Sequence, residues 1–476
     1  MKKVNYIFWI LFSVFVAENV KAQSFEQLLE RLPNKEAFWS LTVLDEEGNK
    51  LENFNSDKLI IPASNQKLYT LAAVLDRLGS DFRYTTNIYG DGELVDSTWI
   101  GDLIIRGSGD PSISGFLYDE DREYVFSELM KQLKEFGIKD INGSLYSDIS
   151  YFDKEVYPVG WDWYDLSFYY GVEIAPLSFN NNAFDLIVNA EGEIGEKPSI
   201  SYYPEIIGLE IINNQTIVSP NKEYDEYYRR KLGFNSIELA SKLPQNYRET
   251  ESLSIENAGL FFLNSFELFL RNNGFVNVNS SKLNVECSSV GCSKVLASHT
   301  SKPLSELVKW ANKESDNFYT EMMLKTLAAE KQGFPGTFEN GIKEVRNFLA
   351  EQGVDTNLVK MNDGSGLAMG NYTTTGNISR LLYSIKSHKE AKVLYNSLPI
   401  AGIDGSIAHR FKGTDLYNNV RAKTGYVGGV RTLSGYMTTS SGMKITFSLA
   451  TNHFAGKVKP VDYSHQQILE YLYAKY

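Results

Sequence analysis

Between about residue 83 and residue 295 the chain changes texture, and this interruption limits the folds open to it. Before it, the run Phe38-Trp39-Ser40-Leu41-Thr42-Val43-Leu44 reads as a strand ending in the turn Glu47-Gly48-Asn49. Leu68, Leu71, Ala72, Leu75 and Leu78 then mark one face of a buried helix that stops at Gly79. After the interruption helical spacing returns with Leu304, Leu307, Val308 and Ala311 and from Phe318 to Ala329. Strand-like runs at 419–426, 430–438 and 444–451 follow, with a closing helix near 460–474. Inside the interruption are short alternating runs such as Thr98 to Ile105, cut by Gly107-Ser108-Gly109-Asp110-Pro111. Two helices, near 123–136 and 256–272, and an aromatic stretch from Trp161 to Tyr170 are embedded there. Residues 25–32 space Phe25, Leu28, Leu29 and Leu32 at helical intervals. The pattern predicts an α/β domain split by a mostly β insertion.

Composition narrows the chemistry. With 476 residues, 43% of them hydrophobic, there is material for two or three cores. A net charge of −12 argues against a surface built for nucleic acid or anionic lipid. Two cysteines and five scattered histidines do not make a conventional zinc cluster, so no metal or cofactor is expected. Catalysis in this chain must rest on Ser, Lys, Asp, Glu or Tyr. At the N-terminus, Lys2 and Lys3 precede the apolar run Tyr6 to Val16, too short for a membrane span, and Val20-Lys21-Ala22 has the residues of a cleavage site. Residues 1–22 therefore read as an export signal, with peripheral membrane contact at most after cleavage. The spacing of Cys287 and Cys292 fits either a local disulfide or two free thiols.

A serine hydroxyl becomes a nucleophile when a base lies within hydrogen-bond reach, and without histidine a lysine with a lowered pKa serves. Ser-x-x-Lys at a helix start puts the two side chains on one face. The chain has three copies, Ser64/Lys67, Ser219/Lys222 and Ser441/Lys444. Only the first opens an amphipathic helix after an apolar run. Ser219 lies in an Asn/Lys/Glu-rich turn, and Ser441-Gly442 forms a hairpin tip. Ser315-Asp316-Asn317 interrupts two helical segments and offers a hydroxyl and a carboxamide to relay a proton and orient Lys67. Lys423-Thr424-Gly425 occurs once, on a strand where Arg421 and Lys423 share a face; Gly425 lets a ligand approach the backbone and Lys423 offers a cation.

Taken together, Ser64-x-x-Lys67, Ser315-Asp316-Asn317 and Lys423-Thr424-Gly425 resemble the signature of serine penicillin-binding proteins and serine β-lactamases. The long gap between the first two motifs is similar to that of D-alanyl-D-alanine carboxypeptidase/endopeptidases, the low-molecular-mass class C penicillin-binding proteins. Further stretches resemble that group: Gly109-Asp110-Pro111, Gly160-Trp161-Asp162-Trp163, Asn362 to Leu367 and Ala401 to Gly405.

The resemblance implies a β-lactamase/DD-transpeptidase-like domain, an antiparallel sheet flanked by helices, formed by residues 23–82 and 296–476 and split by β-rich inserted domains over 83–295. It implies an exported, periplasmic serine DD-peptidase acting on peptidoglycan stem peptides and acylated by β-lactams. Ser64 would be the nucleophile, Lys67 its base, Ser315 the proton relay and Asn317 the group holding Lys67 and the substrate amide. Lys423 and Thr424 would take the peptide carboxylate beside Gly425, with the N–H groups of Ser64 and Tyr426 as the oxyanion hole. Tyr426 departs from the small hydroxylated residue that many relatives carry after the glycine, which implies different contacts there. Asp162 and Asp165, among aromatic rings, read either as walls for a diaminopimelate ammonium or as part of an aromatic pad. A β-lactamase and a catalytically silent wall-binding protein are the alternative readings of the same motifs; the sequence is silent on oligomeric state.

Overall fold

The computed structural model describes residues 24–287, 292 and 294–476; the expected export signal, residues 1–22, lies outside them. The chain divides into two compact units, one of residues up to Ser80, Val308–Asp316 and Ile342–Tyr476, the other of Asp81–Leu307 and Asn317–Gly341.

The first unit is organised by a five-stranded antiparallel sheet. Strands β1 (Phe38–Leu44) and β2 (Lys50–Phe54) come from the start of the chain. Helix α1 (Gln66–Leu78) follows, helix α2 (Thr375–Ser384) comes much later, and β3 (Arg421–Val427), β4 (Val430–Thr438), β5 (Lys444–Asn452) and helix α3 (Val458–Lys475) close the chain. The strand order is β3-β4-β5-β1-β2. In it β1 lies between β2 and β5, with Leu41 opposite Leu449. Alternation along these strands separates two faces. Leu41, Val43, Leu433, Phe447 and Leu449 join Ile468, Leu469 and Leu472 of α3 in one apolar core. The opposite face carries small hydroxyls: Ser40 and Thr42 both bond the Thr375 hydroxyl at 2.7 and 2.9 Å, and Ser434 donates to Ser448 at 2.8 Å. Buried Ser and Thr are tolerated there because they satisfy one another.

Helix α1 ends at Gly79, whose φ of +84° suits glycine. The expected helix over 25–32 is shorter, Phe25–Leu29, although Phe25, Leu29 and Leu32 are all buried. Pro33 is the reason: it disfavours helical geometry at Leu32.

In the second unit the strands Val278–Asn284, Asp140–Asp148, Thr98–Arg106, Thr85–Val95 and Val295–Thr300 form a mixed five-stranded sheet in that order. Two three-stranded sheets and one two-stranded sheet accompany it. Helices Tyr124–Glu135 and Ala258–Asn272 place Phe126, Leu129, Phe262 and Phe266 in a core shared with Leu103 and Leu145. Cys287 and Cys292 are joined in a disulfide, which settles the open reading of that pair. Both of the expected fold characters, α/β overall and β-rich in the middle, are present.

The central pairing sets a test. Leu449→Ala opens a cavity between β5 and α3 and should cost about 3 kcal/mol of stability in urea unfolding. Leu59→Ala, at a side chain 53% exposed, should change stability by less than about 0.5 kcal/mol.

Candidate active site

The site in the first unit begins with a strained turn. Ala63–Asn65 form a single 3₁₀ turn ahead of α1, and Ala63 sits at φ +46°, a conformation costing an alanine on the order of 1 kcal/mol or more. Neighbours hold it there. The Thr432 hydroxyl donates to the Pro62 carbonyl at 2.8 Å and accepts from Asn65 Nδ2 at 2.5 Å. Asn65 Nδ2 also reaches the Lys423 carbonyl at 3.3 Å, and Asn452 Oδ1 accepts from Ile61 N at 2.7 Å. A β-carbon added at Gly366 would come within 1.9 Å of the Ala63 carbonyl, so only glycine fits against this turn.

Lys67, one turn further on, is fully buried. Its Nζ donates to Ser64 Oγ at 3.2 Å and to the Ser365 carbonyl at 2.8 Å. The loop presenting that carbonyl is fixed by the buried Asp363. Its carboxylate accepts from Gly366 N at 2.8 Å, Ala368 N at 2.7 Å and Asn371 Nδ2 at 2.8 Å. Thr70 Oγ1 of α1 donates to the Gly364 carbonyl at 2.7 Å and clamps the loop to the helix.

The second lysine enters from β3. Lys423 is fully buried although β3 is an edge strand, and its Nζ donates to Ser315 Oγ at 2.7 Å and to the Thr424 carbonyl at 2.9 Å. Burial, then the charges of Lys67 and Arg431, push its pKa well below the ordinary lysine value, with Glu314 pulling the other way. Ser315 stands at φ +61° in the loop after helix Leu304–Lys313. That loop is tied down two residues earlier: Lys313 Nζ donates to both oxygens of Asp404 at 2.7 Å and to the Leu398 carbonyl at 2.6 Å. Two residues after Asp404, Ser406 Oγ accepts from the Thr424 hydroxyl at 2.7 Å.

The structure thus gathers Ser64, Lys67, Ser315, Lys423, Thr424 and Gly425. A β-carbon at Gly425 would lie 2.2 Å from Thr432 Oγ1, 2.8 Å from the Pro62 carbonyl and 2.9 Å from Ser64 N, so β3 passes directly beside the Ser64 turn. Tyr426 points outward, 56% exposed. The sequence reading had Ser315 relay a proton and Asn317 hold Lys67; the Ser315 hydroxyl accepts a hydrogen bond from Lys423. In the second unit, Asn317 Nδ2 donates to the Tyr170 carbonyl at 2.9 Å. Asp162 is exposed and accepts from Tyr164 N at 2.9 Å. Asp165 has its carboxyl pushed up by burial and by Asp162. The other two Ser-x-x-Lys copies have exposed lysines, Lys222 and Lys444. No set of three His, Cys, Asp or Glu side chains suited to a metal occurs among the described residues.

Sequence reasoning missed Asn65, Thr432, Asp363, Asp404 and Ser406 as groups that hold the site. Thr432 was within reach, because a tight hairpin at Gly428-Gly429 pairs Gly425 with Thr432. Asp363 and Asp404 fall in stretches that already resembled the family, but nothing local marks what they hold, and Asn65 and Ser406 carry no local signal.

Comparison with known proteins places this geometry. The family model for D-Ala-D-Ala carboxypeptidase 3 (S13) matches residues 21–469. The chain belongs to the S13 family. A D-alanyl-D-alanine carboxypeptidase of Actinomadura sp. is 30% identical over 423 residues, covering 86% of this chain and 76% of that one. The crystal structure of penicillin binding protein 4 from Haemophilus influenzae superposes with a TM-score of 0.83 at 25% identity, over 95% of this chain and all of the other. The same Haemophilus influenzae protein complexed with a β-lactam matches with a TM-score of 0.77 at 25% identity, over 94% and 99% of the two chains. This S13 chain is a serine hydrolase with the α/β fold its motifs implied.

Two outcomes follow from the site's packing and charge. Gly425→Ala should lower the rate of acylation by benzylpenicillin more than tenfold, since β3 must move off the Ser64 turn; near-wild-type acylation by stopped-flow would contradict the contact. Lys423 binds its proton less well folded than unfolded, so from its depressed pKa up to the ordinary value near 10.5 its contribution makes stability rise with pH. Lys423→Met should flatten that slope, by at most about 1.4 kcal/mol per pH unit, in urea unfolding across pH.

Proposed function

We propose that this S13 chain is an exported, periplasmic DD-peptidase that opens D-alanyl bonds of peptidoglycan stem peptides through an acyl-enzyme on Ser64. The observation that carries the reading is the pair of buried contacts Lys67–Ser64 and Lys423–Ser315 in one site. The catalytic domain is assigned to residues 23–82 and 296–476, and the inserted domains to 83–295.

Lys67 Nζ, in its neutral form, takes the proton of Ser64 as Oγ attacks the carbonyl of the penultimate D-alanine. The negative oxygen of the tetrahedral species is met by the N–H groups of Ser64 and Tyr426, donors of a kind worth about 10²–10³ in rate each. The C–N bond then breaks as Ser315, held by its 2.7 Å hydrogen bond from Lys423, passes the proton taken up by Lys67 on to the leaving amine, which returns Lys67 to its neutral form. Lys423 and Thr424 hold the terminal carboxylate, and Asn317 holds the substrate amide. Water attacks the acyl-enzyme with Lys67 as base, releasing the shortened peptide. Asp162 and Asp165 are assigned to a diaminopimelate ammonium, whose charge offsets the crowding that pushes Asp165 up.

β-Lactams mimic the D-Ala-D-Ala end and acylate the same serine; a β-lactam complex is known for the Haemophilus influenzae relative. Incubation with benzylpenicillin should raise the intact mass by one drug molecule per chain. Ser64→Ala should abolish the adduct and lower D-alanine release from muropeptides by at least about 10³-fold; persistent acylation of that variant would remove Ser64 from the reaction. Crosslinked and uncrosslinked muropeptides, separated after digestion, distinguish endopeptidase from carboxypeptidase action.

A further inference from the structure

The second unit carries an arginine that none of the proposed reaction steps uses. Arg230, at the end of strand Tyr228–Arg230, has a fully buried side chain. Its guanidinium is paired with Glu256, and its other donors converge on one loop and the groups beside it. Nε donates to Ser254 Oγ at 2.9 Å, and Nη2 to the Leu166 carbonyl at 2.8 Å and the Tyr157 hydroxyl at 3.1 Å. The Ser254 hydroxyl also donates to the Leu166 carbonyl, and Arg230 N donates to Ser167 Oγ at 3.1 Å. Leu166 and Ser167 belong to the 3₁₀ turn Asp165–Ser167, which a second turn, Tyr169–Gly171, follows at once. Between the turns Phe168 is buried, pairs with Leu253 and stacks its ring on that of Tyr170 at 5.5 Å between centroids. Past them the buried Glu173 accepts from Asn257 N at 3.0 Å and Ala258 N at 2.8 Å. The loop is thus held on both sides of Tyr170, whose carbonyl accepts from Asn317 Nδ2 at 2.9 Å at the start of helix Asn317–Gln332. Such a bond sets the rotation of a carboxamide, and with it the edge that Asn317 offers to a ligand. A buried ion pair gives little stability over apolar residues of the same size, whereas the planar fork of an arginine fixes where its acceptors stand.

We propose that Arg230 is a positioning residue for the reaction on Ser64: through the Leu166 turn it sets the Tyr170 carbonyl, and that carbonyl orients the Asn317 carboxamide that grips the substrate amide. Arg230 acts through this loop and touches no substrate itself. The grip of Asn317 on substrate rests on the peptidase reading; the orientation of its carboxamide by a loop that Arg230 holds does not.

The test follows acylation of the full chain by benzylpenicillin in stopped flow for the wild type, Arg230→Met, Asn317→Ala and the double variant. Arg230→Met should slow acylation at least about tenfold where Asn317 is present and less than about twofold in the Asn317→Ala background, because the effect travels through that side chain. Equal losses in the two backgrounds are the mark of a residue that only supports the fold and would overturn the proposal. Acylation of Arg230→Met within about twofold of the wild type would do the same. Arg122→Met, which breaks an ion pair with Asp185 in the same unit, should leave acylation unchanged, and a loss as large as that of Arg230→Met would also count against the proposal. If Arg230→Met does not fold, Ser254→Ala decides in its place: it removes one donor to the Leu166 carbonyl and should slow acylation about two- to fivefold, again only with Asn317 present. No effect of Ser254→Ala would then sink the idea. A second readout needs no substrate. In chain labelled with nitrogen-15 asparagine, the Asn317 carboxamide signals, assigned by their loss in Asn317→Ala, should shift in Arg230→Met and stay in place in Arg122→Met; signals unmoved in Arg230→Met overturn the proposal. Should the wild-type chain fail to react with penicillin, the peptidase reading falls, and these signals still decide whether Arg230 positions Asn317.

Discussion

Two fully buried lysines within electrostatic reach of each other set the terms for everything around them. Transfer of an ammonium out of water is expensive, and a second nearby charge adds to the cost. Neutral oxygens are among the groups that receive the N–H donors here: the carbonyls of Ser365 and Thr424 and the hydroxyls of Ser64 and Ser315. Such partners satisfy the hydrogens without fixing the charge in place. Lys423, its pKa pushed well below the ordinary lysine value by burial and by the charge of Lys67, sits beside the Ser315 hydroxyl and holds its proton less firmly than an exposed lysine does. A carboxylate in either position would have held the proton on the lysine more firmly.

Each neutral oxygen is held by apparatus of its own. Asp363 and Thr70 hold the loop that offers the Ser365 carbonyl, Asp404 ties down the segment ahead of Ser315 through Lys313, and Ser406 steadies Thr424. Asp404 and Ser406 are two residues apart, so one short stretch governs both the second serine and the strand that carries Lys423. Thr432 joins the two halves of the chemistry, bonding the turn of the first serine from the strand next to β3. Local strain at Ala63 and Ser315 persists because these contacts over-determine it.

What the sequence discloses divides along the same line. The Ser64–Lys67 pair follows from helix geometry, and the strand face of Lys423 follows from alternation, because both are local periodicities. Three strands and the closing helix at the C-terminal end were legible for the same reason, as were Tyr124–Glu135 and Ala258–Asn272. The sheet order was not, because nothing near Phe38 announces that it pairs with residues near 450. Asp363, Asp404 and Ser406 were hidden likewise: their partners lie far away in sequence, and an isolated Asp or Ser in a Gly-rich loop has the look of an ordinary turn residue. The direct contact of Ser315 with Lys423 is a matter of side-chain direction in a loop, which no periodicity encodes.

The place of β1 between β2 and β5 has a consequence in time. A ribosome adds about 5–20 residues per second, so the interval between the appearance of Phe38 and that of Asn452 is on the order of tens of seconds. Throughout it the sheet lacks its middle, and the turn bearing Ser64 lacks Asn452, Thr432 and β3 against which to set. A chain of this design is inert until almost its last residues exist. Nascent and prematurely ended chains lack the partners that set the Ser64 turn and have no assembled nucleophile.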